Sequence, residues 1–226
     1  MLTLAEQLLL LSLHDEKGSV FASASRALPY GLAGATILDL YFQERITFED
    51  THIHVVDQTP VGNALLDEVL ALLDNTTTIH NVKYWIKHMQ RKIKGITDRI
   101  AEGLVAKHIL AKEEYEFLWV INYQRYPTRD GRPAEELCHT LRAIIVDDQP
   151  PTEAEMSLLS LMKACGVLYE IISRDERKMT KQKVTMIIEG EGEVVGTAVS
   201  AIVREVNAAI AAAIMASTTA AVTSSQ

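Results

Sequence analysis

The sequence predicts a mainly α-helical chain with minor β structure, on three observations. Two hydroxyl-x-x-Glu starts, Thr3 with Glu6 and Thr152 with Glu155, each stand ahead of a strongly apolar run. Between them apolar residues recur at spacings of three and four, the period of one helix face. Strand-like signals are few: alternating apolar residues over 46–55 and an aromatic, β-branched run over 117–128.

Taken in order, the first helix begins at Thr3, where a hydroxyl and a carboxylate each satisfy an orphan amide. Leucines at 4, 8, 9, 10, 11 and 13 surround it, which is the pattern of a buried helix, and Asp15-Glu16-Lys17-Gly18 ends it. A second helix is expected over Tyr30–Glu44, opening on the small residues Gly31, Ala33, Gly34 and Ala35. Ile46, Phe48, Ile53 and Val55 alternate around Glu49-Asp50-Thr51 and read as two short strands with a turn. Thr59-Pro60 starts a helix through Leu73, with proline at a tolerated first-turn position.

The longest helical pattern spans His80–Ile109. Val82, Trp85, Ile86, Met89, Ile93, Ile96, Ile100 and Leu104 form one apolar stripe, and Gly95 marks a candidate break. Phe117–Thr128, aromatic and β-branched, predicts a hairpin. A further apolar helix is expected over Met156–Ser173, then helices over Lys178–Ile188 and Val195–Ala216. No internal repeat and no dividing linker is evident, so the expectation is one domain over residues 1–216 and a disordered tail over 217–226.

Bulk properties narrow the function. A chain of 226 residues with 48% hydrophobic residues can bury a sizeable core without staples. Cys138 and Cys165 sit in apolar contexts and form no CxxC pair, which reads as free thiols in a reducing cytosol. A net charge of -8 disfavours general attraction to DNA or anionic lipid, leaving room for a local basic patch. Leu2–Leu13 lacks the basic start and cleavage site of a signal peptide. The clean apolar part of the C-terminal stretch, Ala208–Ala216, falls far short of the ~20 residues a membrane span needs. Membrane contact, if made, is expected to be peripheral.

Catalytic signatures are scarce. No phosphate-binding loop, dinucleotide fingerprint, GxSxG elbow or HExxH pair occurs, and no cofactor is implied. His52-x-His54 shares a strand face, but two ligands fall short of a zinc site, and no metal site is assigned. The carboxylate pairs Asp67-Glu68 and Glu135-Glu136 point in different directions on helices and read as solvated charges. The expectation is a non-enzymatic protein.

Against this acidic background one basic cluster stands out. Lys83, Lys87, Arg91, Lys92, Lys94 and Arg99 fall in one helical region with no acidic residue between Lys83 and Gly95. Lys83, Lys87, Arg91 and Lys94 step by four, four and three along one face, a stripe suited to a phosphate-rich surface. The bland alternative is the solvated side of an amphipathic helix. Phe117, Trp119, Tyr123 and Tyr126 give the predicted hairpin an aromatic character that suits a membrane interface or a self-association surface; core packing of alternate residues is the competing account.

Several segments, in order, resemble the Golgi phosphoprotein 3 family. These are Leu2-Thr3-Leu4 with Glu6 and the leucine run into Asp15-Glu16-Lys17-Gly18, and Gly31-Leu32-Ala33-Gly34-Ala35 leading to Arg45-Ile46. They continue with Thr59-Pro60-Val61-Gly62, Leu65-Leu66-Asp67-Glu68, then Arg99-Ile100-Ala101, Leu104-Val105, Lys107 and Ile109-Leu110 into Phe117-Leu118. The resemblance covers essentially the whole chain and implies a central helix bundle ringed by amphipathic helices, with a projecting β-hairpin. It also implies a cytoplasmic, peripherally membrane-associated protein that binds anionic phospholipid, phosphatidylinositol 4-phosphate in eukaryotic members, and self-associates.

The family's headgroup pocket uses a tryptophan and three arginines. Their places here fall near Ala24 and at Ala33, Lys94 and Thr97, so Lys94 alone keeps a charge, and it lacks arginine's forked geometry. Trp85 corresponds to a different family tryptophan. Lys94, Arg91, Lys87 and Arg99 are thus the candidate headgroup contacts, and Phe117, Trp119, Tyr123 and Tyr126 the candidate membrane or self-association contacts. Two alternatives stay open. One is a winged-helix-like nucleic-acid binder built on Asp98–Leu110 and the hairpin, which the net charge disfavours. The other is a purely structural self-associating module.

Overall fold

The computed structural model describes residues 1–76, 78–117, 121–170, 172, 177–190, 200, 203–212 and 215. Helix α1 (Leu4–Leu10) starts where expected but stops at Leu10, ahead of the expected end at Asp15–Gly18, and Leu13 instead pairs with Val20. Thr3 Oγ1 accepts from the Glu6 amide while Glu6 Oε2 accepts from the Thr3 amide at 2.8 Å. Leu8 and Leu9 are fully buried, because this helix is wrapped by others on several sides.

Helix α2 (Leu28–Phe42) is the hub, packing against α1 and against five helices described below. Its burial runs unbroken from Gly31 to Leu40. Small residues make the approach possible. A Cβ added at Gly31 would overlap Cys165 Sγ, and one at Gly34 would overlap Val206 Cγ1. The helix begins two residues earlier than expected, with Pro29 in its first turn, where a missing N–H costs nothing.

Strands β1 (Ile46–Glu49) and β2 (His52–Val55) pair antiparallel, Ile46 opposite Val55 and Glu49 opposite His52. Asp50 takes a positive φ of 54° in the turn. Helix α3 (Ala64–Asp74) starts later than Thr59-Pro60 suggested. Asn63 is the cap, accepting from the Leu65 and Leu66 amides, and Gly62 ahead of it has φ 78°, outside helical space.

The expected long rod over His80–Ile109 is two helices, α4 (Val82–Lys92) and α5 (Ile96–Ala106). Gly95, at φ 61°, breaks it in the left-handed region that glycine enters without penalty. The apolar stripe survives: Val82, Trp85, Ile86, Met89, Ile93, Ile96, Ile100 and Leu104 are all buried. A kink therefore leaves the core face intact while turning the polar face.

Strands β3 (Glu113–Phe117) and β4 (Ile121–Arg125) form the second hairpin, whose first strand lies further upstream than the aromatic run suggested. Helix α6 (Arg132–Val146) lies between the elements that the sequence predicts, and its inward residues Leu141, Ile144 and Ile145 are buried. Helix α7 (Glu153–Cys165) opens on the second capping box and is stopped by Gly166 at φ 75°, eight residues short of the expected Ser173. Helix α8 (Arg177–Gly190) packs on α6 and α7, and a helix over residues 203–212 (α9) lays Val206 and Ile210 against α2. The remaining helices touching α2 are α3, α4, α5 and α7. The architecture is mainly α, with two small antiparallel sheets.

Candidate functional site

Helix α4 begins at Asn81, whose side chain accepts from the Tyr84 amide at 2.9 Å, and ends with Arg91 and Lys92 in its last turn. Cations there face the negative end of the helix dipole, a favourable placement. Trp85, Ile86 and Met89 lock one side into the core, and Gln90 Nε2 donates to the Pro29 carbonyl of α2 at 2.7 Å. The opposite side is thereby forced outward. Lys83, Lys87, Arg91 and Lys92 are exposed, and so is Lys94 just beyond. Among the described residues none of these five forms an ion pair, so their field reaches solvent unneutralised.

The four-residue stripe read from the sequence is divided. Lys83, Lys87 and Arg91 share a face of α4, whereas Lys94 lies in the connection before Gly95 and is not on that helix. Arg99 belongs to α5, and its Nη1 is 2.6 Å from Glu68 Oε2 on α3. Its charge is therefore matched, unlike the others. Ala24 and Ala33, at the places of the family's tryptophan and first arginine, are fully buried, and Thr97 is half-buried.

A second column runs beside the cationic row and was not singled out from the sequence. The rings of His80 and Tyr84 stack at 3.7 Å, those of Tyr84 and His88 at 5.2 Å, and Trp85 meets His88 edge-on at 5.5 Å. Its only sequence signal is the spacing 80, 84, 88, two steps of four along a helix face. The Nδ1 of His88 is buried, with no hydrogen-bond partner among the described residues. Burial, then the charges of Arg91, Lys92 and His80, hold its imidazole below the usual range.

On the hairpin, Trp119 lies outside the described residues, as do the side chains of Phe117 and Tyr123. Tyr126 is 4% exposed. Its hydroxyl donates to Gln124 Oε1 at 2.7 Å, with Asp98 Oδ1 at 3.3 Å, so as placed it offers no outward surface. The exposed strand residues Glu113 and Glu114 are acidic, and Arg125 sits 4.6 Å over the Tyr115 ring. The face of α5 that a groove-binding helix would use exposes Asp98 and Glu102, the wrong sign for phosphate.

Other candidates resolve into structure. Asp67 accepts from the Val61 amide at 2.7 Å, and Glu68 holds Arg99. His54 Nε2 approaches Glu49 Oε2 at 3.5 Å, and no cluster of three metal-ligating side chains occurs among the described residues. A cavity of about 420 Å³ lies between α1, α3 and α5, and there Lys107 meets buried Glu6 at 2.6 Å. No described helix is long and apolar enough to cross a membrane.

The Golgi phosphoprotein 3 (GPP34) family model matches residues 4–206. The chain belongs to that family. Among curated proteins it is similar to the vacuolar protein sorting-associated protein 74 of Schizosaccharomyces pombe, at 27% identity covering 66% of this chain and 51% of the relative. The protein of the same name from Eremothecium gossypii is 26% identical over 64% of this chain and 49% of its own length. The chain spans about half the length of these curated relatives.

Proposed function

We propose that this Golgi phosphoprotein 3 family member is a non-enzymatic, cytoplasmic, peripheral membrane protein that binds anionic phospholipid headgroups through α4. The observation that carries the reading is the set of five exposed cations without an ion pair among the described residues, Lys83, Lys87, Arg91, Lys92 and Lys94, on a chain of net charge -8. An otherwise acidic body orients such a patch toward a negative surface, and each Lys or Arg near the bilayer contributes about 1 kcal/mol. Lys94 occupies a family headgroup position, and the proposed ligand class is anionic phospholipid, of which the phosphatidylinositol 4-phosphate bound by eukaryotic members is one. Lys87 and Arg91 extend that contact, and Arg99 joins it only on release from Glu68. The aromatic hairpin at Phe117, Trp119 and Tyr123 is the proposed second contact, with a role in homo-oligomer formation.

Co-sedimentation with phosphatidylserine vesicles and with neutral phosphatidylcholine vesicles tests the reading. Binding is expected to the anionic vesicles alone. Replacing Lys83, Lys87 and Arg91 together by Gln should weaken it about 100-fold at low salt. Equal or negligible binding to both vesicle types overturns it, and retention by DNA instead would revive the nucleic-acid alternative.

A further inference from the structure

The ring column His80–Tyr84–His88 borders the cationic row, and we propose that it makes membrane attachment through α4 acid-strengthened. Proton uptake by His88 and docking of a phosphate-bearing lipid surface favour one another. This rests on the reading that α4 binds anionic lipid, and adds a regulation that the reading does not contain.

The geometry sets the linkage. Tyr84 stacks on His88 from one turn back and Trp85 closes one edge, so the imidazole is fixed in the wall of the column. Arg91 and Lys92 follow it on the same helix, and His80 stands at the far end of the stack. Among the described residues no carboxylate acts on the ring to offset them. Helix α2, packed across α4, carries Asp39 as its carboxylate, and that group is committed to the Leu4 and Ala5 amides. In the cleft on the other side, His54 faces Glu49 and Asp74 accepts from Gln58.

His88 is therefore a neutral ring whose protonation is opposed by cations of the row beside it. A lipid phosphate lying on Arg91 and Lys92 cancels that opposition. Binding must then raise the proton affinity of His88, and by reciprocity a lower pH must tighten binding. The negative potential of a phosphatidylserine-bearing leaflet acts in the same direction. One extra positive charge at the surface corresponds to about 5-fold in affinity.

The test uses the full chain and phosphatidylserine vesicles at pH 7.5 and pH 5.5. Wild type should bind about 5-fold tighter at the lower pH, and His88→Gln should gain less than twofold. Alongside, the His88 ring titration is followed by NMR in the wild-type chain, free, with short-chain phosphatidylserine and with inorganic phosphate. Its midpoint should rise with the lipid; a rise of the same size with inorganic phosphate overturns the lipid-surface assignment. Equal acid gains in wild type and His88→Gln, or a midpoint unmoved by lipid, overturn the proposal while leaving the α4 reading standing. No binding at either pH overturns the α4 reading itself and this regulation with it.

Discussion

Asp39 Oδ1 lies 2.6 Å from the amide nitrogen of Leu4, so a carboxylate on the central helix caps the helix that opens the chain. Its other oxygen accepts from Ala5 at 3.1 Å. Two of the four orphan amides of α1 are thus satisfied across 35 residues, inside the core. Burial pushes the Asp39 carboxyl up to about 7, the amides of Leu4 and Ala5 and the Thr3 hydroxyl acting in the opposite direction.

Asp39→Asn should cost about 1–3 kcal/mol, because one of the two acceptors becomes a donor facing an amide. The pH dependence follows from the raised value. Between an unfolded value of about 3.9 and the folded value of about 7, the native chain holds more protons at this site than the unfolded one. The stability Asp39 contributes is therefore fullest below the unfolded value and is lost as pH rises through the folded one. Urea unfolding at pH 5 and pH 8 should show a larger wild-type advantage at pH 5. The reverse order would refute the assignment.

Gly34 against Val206 offers a packing test. Gly34→Ala places a methyl on the Val206 side chain of α9, and overpacking of this kind costs about 1–3 kcal/mol. Val206→Ala in the same chain should recover much of the loss. Strictly additive effects in the double-mutant cycle would show that the two helices are not in contact there.

The Arg99–Glu68 pair separates a structural cation from a binding one. Glu68→Gln frees Arg99, and if α5 borders the docked face, affinity for anionic vesicles should rise about 5-fold. Adding Arg99→Gln should erase the gain. Vesicle sedimentation decides it, and an unchanged affinity in Glu68→Gln places Arg99 away from the membrane.

The two thiols should differ in reactivity. Cys165 is buried against the glycine face of α2, and burial pushes its thiol up to about 12. Cys138 is half-buried on α6, and burial together with Asp15 raises its value. A charged maleimide at pH 8 should label Cys138 slowly and Cys165 only as the chain unfolds. Rapid labelling of Cys165 in the native chain would contradict the packing of α7 on α2.

Much of the fold was legible because its signals are local. The capping boxes at Thr3 and Thr152, the first β-hairpin and the apolar stripe from Val82 to Leu104 each lie within a few turns of chain. The misplaced ends have equally local causes, since Gly62, Gly95 and Gly166 adopt positive φ and stop or split helices that periodicity alone would extend. Helix α6 escaped notice because its first half is polar. The candidate site was legible in part. Exposure of Lys83, Lys87 and Arg91 follows from period and from the buried face opposite, whereas the stack of His80, Tyr84 and His88 depends on ring orientations that spacing does not give.

The sequence by itself determined which residues prefer helix, where the cations concentrate and which family the segments resemble, because caps, periods and charge runs act between near neighbours. Tertiary structure decided that Asp39 caps α1, that Glu68 neutralises Arg99 and that Tyr126 turns inward to Gln124 and Asp98. The physical reason is desolvation. Once the bundle closes, each polar group drawn inside must take whatever partner the packing brings, however distant in the chain.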